Sequence, residues 1–421
     1  MTPKPASSKI AVLAQICKLI PANLMARLAA EHGVDKKVRS FSVFSHIVAM
    51  LLAQLTRASS LNDVCDNAHI HQAKLNTLGV GAPSRNGLAH ANKVRSSAMA
   101  EALFWGTLEH LTGLAKGFGG RTYKGLPRRI KKVIHVIDSS TIQLVANCLD
   151  WARHKRSKAG VKVHLRLDLK SFLPSMVLID TARPHDNKYA RELCAAVRPG
   201  EVVLFDKAYI DFSHLFDMAQ RGVWWVTRTK DNMKFRVKKR LMRKSQGKIV
   251  RDDLIVLTGQ KTAGKYPRPL RRVVAWVEVD GQERLMEFLT NNLEWAPSTV
   301  ADLYKSRWGI EAFFKQIKQT LQLADFLGHN ANAVRWQVWM ALLVYLLLRY
   351  LSYVSKWAHS FTRLFTILRA VLWSKIDLLD LLDRYGTAKG DFRNLARPEQ
   401  AYFPRLPVKL GDSISKRQPC S

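Results

Sequence analysis

Apolar and polar positions along the chain change period twice. From about residue 10 to 115 the apolar residues recur every three or four positions, in runs such as FSVFSHIVAMLLAQL (41–55), which predicts a series of helices. LGVGAPSRNG (78–87) interrupts the period with glycine and proline, and GLAHANKVR resumes it, carrying Lys93 and Arg95. Beyond a basic linker, KGLPRRIKK (124–132), the period shortens. VIHVID (133–138), VKVHLRLDL (161–169), PSMVLIDT (174–181), VVLF (202–205) and VWWVTRT (223–229) read as strands. NKYARELCAAV (187–197) and DFSHLFDMAQ (211–220) read as helices. Three strands, helix, strand, helix, strand predicts a mixed α/β sheet whose first three strands form a meander.

After residue 230 the pattern changes again. KFRVKKRLMRK is intensely basic, and DDLIVLTG, LRRVVAWVEVDG and QERLMEFLTN read as antiparallel strands, with Asp280-Gly281 at a hairpin turn. Residues 230–295 are therefore expected to be a β-rich insertion. Pro297-Ser298-Thr299 followed by Asp302 marks a helix start, and the helix runs to about 322. Apolar helices follow over 331–385, and they could form an interface or simply core. The first eight residues and the last 35 or so look irregular. VWMALLVYLLL (338–348) lies between Arg335 and Arg349 and is too short a run to span a bilayer, so a buried helix of a soluble protein is expected. Gln15 and Lys18 interrupt IAVLAQICKLI (10–20), which favours an amphipathic helix over a secretion signal.

Charge narrows the class of partner. The chain has 421 residues, 47% of them hydrophobic, enough for a large core and more than one domain. Its 67 Lys and Arg against 33 Asp and Glu give a formal net charge of +34, spread along the length. Self-repulsion of that size points to a polyanionic partner contacted over an extended surface. The N-terminal helices, with their basic faces, fit either docking on DNA in a helix-turn-helix manner or a purely structural cap. Cysteines stand at 17, 65, 148, 194 and 420, an odd count without metal-finger or redox spacing, which fits a reducing compartment.

The residues that carry chemistry are few. In YKSRWGIEAFFKQIK (304–318), Tyr304, Arg307, Glu311 and Lys318 fall within roughly 60° of one another at 100° per residue, so they share one stripe of a continuous helix. The apolar residues Leu303, Ile310, Phe313, Phe314, Ile317 and Leu321 occupy the adjoining arc. A solvated salt-bridge ladder is the usual fate of such charges. Asp138 and Asp206 each sit where an apolar strand is expected to end, the place where catalytic groups gather in open α/β sheets. A lone aspartate there also serves as a turn cap. If the helix packs its Glu311 against the same sheet, three carboxylates converge, an oxygen-only set suited to Mg²⁺ or Mn²⁺ rather than zinc.

The spacing Tyr304-x2-Arg307-x3-Glu311-x6-Lys318 resembles the Tyr-Arg-Glu-Lys signature of the insertion-sequence-four family of transposases, DDE enzymes with a ribonuclease H-like core. Asp138, in HVIDSSTI, resembles the family's first acid, and Asp206, in VLFDKAYID, its second. A β-rich insertion between second acid and glutamate is also similar, and the likeness covers about residues 35 to 350. It departs at Ala208, where members often carry glycine before the aromatic residue. The resemblance implies a fold: a ribonuclease H-like mixed sheet in an α/β protein, with a β-rich insertion and flanking helical regions. Its divisions would be 1–125, a helical DNA-binding region; 126–229, first part of the core; 230–295, the insertion; 296–330, second part of the core; and 331–421, a helical C-terminal region. It implies an activity, cutting insertion-sequence ends and joining their 3′-OH to target DNA with two divalent ions, Mg²⁺ or Mn²⁺. Asp138, Asp206 and Glu311 would hold the ions; Tyr304, Arg307 and Lys318 would contact phosphates. Trp276, in the insertion, is a candidate platform for a flipped base, although packing on a strand face is the commoner role for such a residue, and Lys230 to Lys248 would follow the DNA backbone. The implied partners are double-stranded DNA, as terminal inverted repeats and target, and a second copy of the chain in a synaptic homodimer. A membrane is not expected, and the bacterial cytoplasm, at the nucleoid, is the expected location. A nuclease without strand transfer, or a repurposed DNA-binding protein, would share most of these features.

Overall fold

Ten strands form one sheet at the centre of the protein, a computed structural model that describes residues 5–34, 41–119, 130–144, 148–155, 158–279, 281–320 and 327–385. The strands are β1 (Ile134–Leu144), β2 (Arg153–Lys155), β3 (Lys158–Asp168), β4 (Pro174–Thr181), β5 (Val202–Phe205), β6 (Trp224–Arg228), β7 (Phe235–Arg240), β8 (Ile249–Leu257), β9 (Leu270–Val279) and β10 (Gln282–Thr290). Their order is β2-β3-β1-β5-β6-β10-β9-β8-β7, with β4 also paired to β3. β1, β3 and β4 are the antiparallel meander expected from the sequence, while β1, β5 and β6 run parallel. That mixed arrangement of β4, β3, β1, β5 and β6 is the ribonuclease H-like core.

The insertion continues this sheet. β10 pairs antiparallel with β6, and β9, β8 and β7 follow as antiparallel neighbours. The basic run after residue 234, read from sequence only as a charged stretch, is the edge strand β7. Its residues from Arg236 to Arg240 are all exposed, and lysine-rich edges of this kind resist pairing with another sheet. Gly281 takes φ +74° at the β9–β10 hairpin, which a residue without Cβ adopts freely; Asp280 lies outside the described residues.

The N-terminal helices are α1 (Val12–Cys17), α2 (Ala22–Glu31), α3 (Val43–Thr56), α4 (Leu61–Ile70), α5 (Gln72–Asn76), α6 (Arg85–Val94) and α7 (Ser97–Leu114). Four lie within or after the core's first part: α8 (Leu149–Ala152), α9 (Asn187–Cys194), α10 (Phe212–Gln220) and α11 (Pro297–Ser306). The last are α12 (Gly309–Lys315), α13 (Ala331–Val354), α14 (Phe361–Val371) and α15 (Leu378–Tyr385). One core cluster runs from α1, α3 and α7 through α13 to one face of the sheet. A second lies on the other face, under α9 and α10. Burial on both faces explains why VVLF in β5 is uniformly apolar.

One expectation holds on a different ground, and two need correction. The apolar run 338–348 belongs to a helix of 24 residues, α13, long and apolar enough to cross a membrane by length and composition. It is packed inside the protein instead, with 83% of its apolar window buried. Asn332 and Trp336 at its start donate to Arg95 O at 2.7 Å each, clamping the α6–α7 junction. β1 does not end at Asp138; it continues to Leu144, paired with β3. The stripe helix is not continuous either. Around Arg307 the backbone tightens, with Arg307 N bonded to Tyr304 O and Ile310 N to Arg307 O, both three residues back. From Gln316 to Thr320 it loosens into a π-turn, and Leu321 lies outside the described residues.

Candidate active site

Pairing between β1 and β5 stops at Ile137 and Phe205, so Asp138 and Asp206 leave the parallel ladder side by side. Asp138 remains in β1, opposite Leu165 of β3. Its neighbour Val136 and its partner Leu165 face the core under α11 and α12, and Asp138 faces the same way. Its Oδ1 accepts the Ser139 N–H at 2.8 Å. Asp206 begins a short 3₁₀ turn, Lys207–Tyr209, and its Oδ1 accepts the Ala208 N–H at 3.2 Å. This is the turn where Ala208 stands before Tyr209.

Glu311 reaches the same place from α12, and one guanidinium joins all three acids. Arg307 stands 2.8 Å from Asp138, 3.0 Å from Glu311 and 4.0 Å from Asp206. Its side chain is 6% exposed, against 19% for Asp138, 33% for Asp206 and 59% for Glu311, so the acids line a shallow opening with the arginine at its floor. Burial pushes the Asp138 carboxyl up to about 6, and the nearby acids push the same way, while Arg307 and the Ser139 N–H oppose them. Burial works against charge on Arg307, but Tyr304 and the three carboxylates hold its pKa above the ordinary value.

The other expected site residues fall into two groups. Tyr304 and Lys318 are close by. Tyr304 is 1% exposed, not on the solvent side, and its ring packs on Phe288 and lies under the Arg307 guanidinium, 5.5 Å from its centre. Burial raises its phenol to about 12, and the Arg307 guanidinium beside it opposes that rise. The Lys318 ammonium donates to Thr141 O at 2.6 Å on the extended arm of β1, and burial lowers its pKa. Trp276 stands apart. It is 43% exposed and lies opposite Leu285 on β10, itself 49% exposed. Val273, Ala275 and Val277 face the core under α11, so Trp276, between them in register, faces away from it. β10 runs antiparallel to β6, so this part of the insertion extends beyond the carboxyl ends of the parallel strands, where Asp206 lies.

Three carboxylates with no sulfur or imidazole are a donor set that fits a hard divalent cation. Among the described residues no three acids, imidazoles or thiols stand close enough to hold one ion as they are placed. The acids already converge on one cationic group, Arg307, and a cation is what their mutual repulsion calls for.

A second polar cluster lies on the opposite face of β1 and was not singled out from sequence. It joins Ser139, Lys162, His164, Asp186 and Tyr209. The signal was present in VKVHLRLDL, whose alternation sets Lys162, His164 and Arg166 on one face of a strand that is buried on both.

The transposase DDE domain family model matches residues 129–347, and a domain of unknown function (DUF4372) matches 8–81. A putative transposase of Sinorhizobium fredii, y4zB, is 33% identical over 271 residues, covering 64% of this chain and 71% of that protein. A probable transposase for insertion sequence element IS5377 of Geobacillus stearothermophilus is 32% identical over 224 residues, 53% of this chain and 58% of its own length. The transposase InsG for insertion sequence element IS4 of Escherichia coli is 25% identical over 199 residues, 45% of this chain and 43% of its own.

Proposed function

The chain belongs to the DDE transposases of the insertion-sequence-four family, and on that premise we propose that it cuts the ends of an insertion sequence and joins each freed 3′-OH to target DNA. The observation that carries this reading is the convergence of Asp138, Asp206 and Glu311 on Arg307, within 4.0 Å. Asp138, Asp206 and Glu311 would together hold two divalent ions. Mg²⁺ or Mn²⁺ bound there would activate the attacking oxygen and stabilise the leaving one.

The remaining residues act on the DNA. The Arg307 fork can take two oxygens of a phosphate, and the Lys318 ammonium can neutralise one as a point charge. Tyr304, its ring under the Arg307 guanidinium, would support that phosphate contact from below. Exposed bases on β7 and the turn after it, from Arg236 to Lys244, give the insertion a cationic edge for the duplex backbone. Trp276, exposed beyond the strand ends, would offer its ring to an extruded base. The helices of 1–125 would hold the terminal repeats, and bringing two ends together would require a homodimer on DNA. Such an enzyme works in the cytoplasm, at the nucleoid.

The test is incubation of the full chain with Mg²⁺ and a plasmid carrying the DNA that flanks its own gene. Excision and strand-transfer products are expected, and Asp138→Ala should bind the same DNA and yield neither. Products of hydrolysis alone would favour a nuclease, and binding without cleavage by either form would favour a repurposed DNA-binding protein.

A further inference from the structure

The polar cluster behind the carboxylates plays no part in the chemistry proposed above, yet it touches both aspartates' surroundings. Asp186, just ahead of α9, is its centre. Its Oδ1 accepts from the Lys162 ammonium at 2.6 Å and from the Ser139 hydroxyl at 3.2 Å, and His164 Nδ1 lies 3.8 Å away. His164 shares a hydrogen bond of 3.1 Å with the Tyr209 hydroxyl, and the Tyr189 ring packs on its imidazole with centroids 4.1 Å apart.

Each end of this chain of contacts is one short step from a candidate ligand. Ser139 follows Asp138 and donates its backbone N–H to the Asp138 carboxylate. Tyr209 closes the turn that Asp206 opens, its N–H bonded to Asp206 O at 3.1 Å. β1 and β5 are no longer paired at this level, so the ladder itself does not fix how far apart the two aspartates stand. Something else must, if two ligands are to serve one site within a fraction of an ångström.

We propose that Asp186 is a positioning residue: it holds Ser139 directly, beside the His164–Tyr209 hydrogen bond, and so sets the aim of Asp138 and its spacing from Asp206. This rests on the reading of those two as metal ligands. A carboxylate suits the task because it can accept from an ammonium and a hydroxyl at once, and charge-assisted bonds are the stiff ones. The competing role is structural, a counter-charge for the half-buried Lys162. That role predicts lost stability with an unaltered metal site.

Mn²⁺ alone, titrated into the full chain and followed by the loss of the free-ion electron paramagnetic resonance signal, separates these roles. Each variant is measured well below its own melting temperature. Asp186→Asn should weaken Mn²⁺ binding by about tenfold, the low end of what outer supports of metal ligands contribute. Ser139→Ala and Tyr209→Phe, which change no charge, should shift it the same way by less, and they carry the test if Asp186→Asn does not fold. Asp138→Ala should abolish binding. Wild-type Mn²⁺ affinity in the Asp186, Ser139 and Tyr209 variants, with binding lost in Asp138→Ala, would overturn the positioning role. Wild-type affinity in Asp138→Ala would overturn the assignment of the site itself.

Discussion

Arg307 decides what the candidate site looks like at the scale of single residues. Three acids at the mouth of a shallow opening repel one another, and its buried guanidinium is the charge that offsets them. Removing one member of a buried ion pair leaves the other uncompensated, at a cost of about 3–5 kcal/mol. Glu311 is more than half exposed and Asp206 a third, so solvent screens their share and the Asp138 contact dominates. Arg307→Ala should therefore lose about 2–3 kcal/mol of unfolding free energy in urea at neutral pH. Adding Asp138→Asn should restore part of it, because the stranded charge goes. A loss as large in the double variant as in the single one would mean that Arg307 stabilises by packing alone. The two aspartates were legible in the sequence because each follows an apolar run, and Glu311 because of its place on a helical stripe, both local signals. The direction of Arg307 was not. Its i, i+4 spacing to Glu311 announced that pair, but the contact with Asp138, 169 positions away, is tertiary.

The break between α11 and α12 shows why an element cannot always be read from its period. A steady 100° per residue puts Tyr304 on the same stripe as Arg307, beside the apolar arc. The tightened turn at Arg307 and the π-turn after Gln316 shift that stripe, and Tyr304 ends buried against Phe288. Another element closes on the same place. The β3–β4 turn brings Phe172, at φ +57°, against Gly309, and α13 fastens that turn through Tyr345, whose hydroxyl donates to Phe172 O at 2.9 Å. A Cβ on Gly309 would stand 3.1 Å from the Phe172 ring. In an open helix Gly→Ala gains up to about 1 kcal/mol. Here overpacking, worth about 1–3 kcal/mol, opposes it and should win. Gly309→Ala is expected to lower the melting temperature, and Phe172→Leu in the same chain to reverse the sign of the glycine change. A stabilised Gly309→Ala would show that the Phe172 ring yields easily and does not shape the break. Strands bounded by their own turn residues, β4 and β5, were legible to the residue, because those signals are local. The extension of β1 was not, since Ser139-Ser140 reads as a turn until β3 is there to pair with it.

Across the whole molecule, charge and burial make the fold sensitive to acid. Three histidines in different parts of the protein, His46, His164 and His214, are buried, and burial pulls each down to about 4 from 6.5. His46 bonds to Asn92 in the N-terminal helices with Arg95 near, His164 lies behind the candidate site by Asp186 and Lys162, and His214 sits in α10 among Arg191, Asp211 and Asp217. The unfolded chain takes up protons at these rings before the folded one does, so between pH 6.5 and 4 the unfolded state gains and stability falls as pH falls. Above pH 6.5 their contribution is fully present. At about 1.4 kcal/mol per unit, each ring could withdraw up to about 3 kcal/mol by pH 4, a large part of the stability of any domain. Acid also protonates carboxylates and adds to a net charge of +34, which destabilises by self-repulsion. Salt tells the two apart, because it screens repulsion between surface charges and leaves desolvation of a buried ring unchanged. The unfolding free energy in urea should fall between pH 6.5 and 4 at 0.5 M salt nearly as steeply as at 0.05 M. His46→Gln, which cannot take up the proton, should flatten that fall. A curve that salt levels completely would place the acid sensitivity on the surface charge and not in the core.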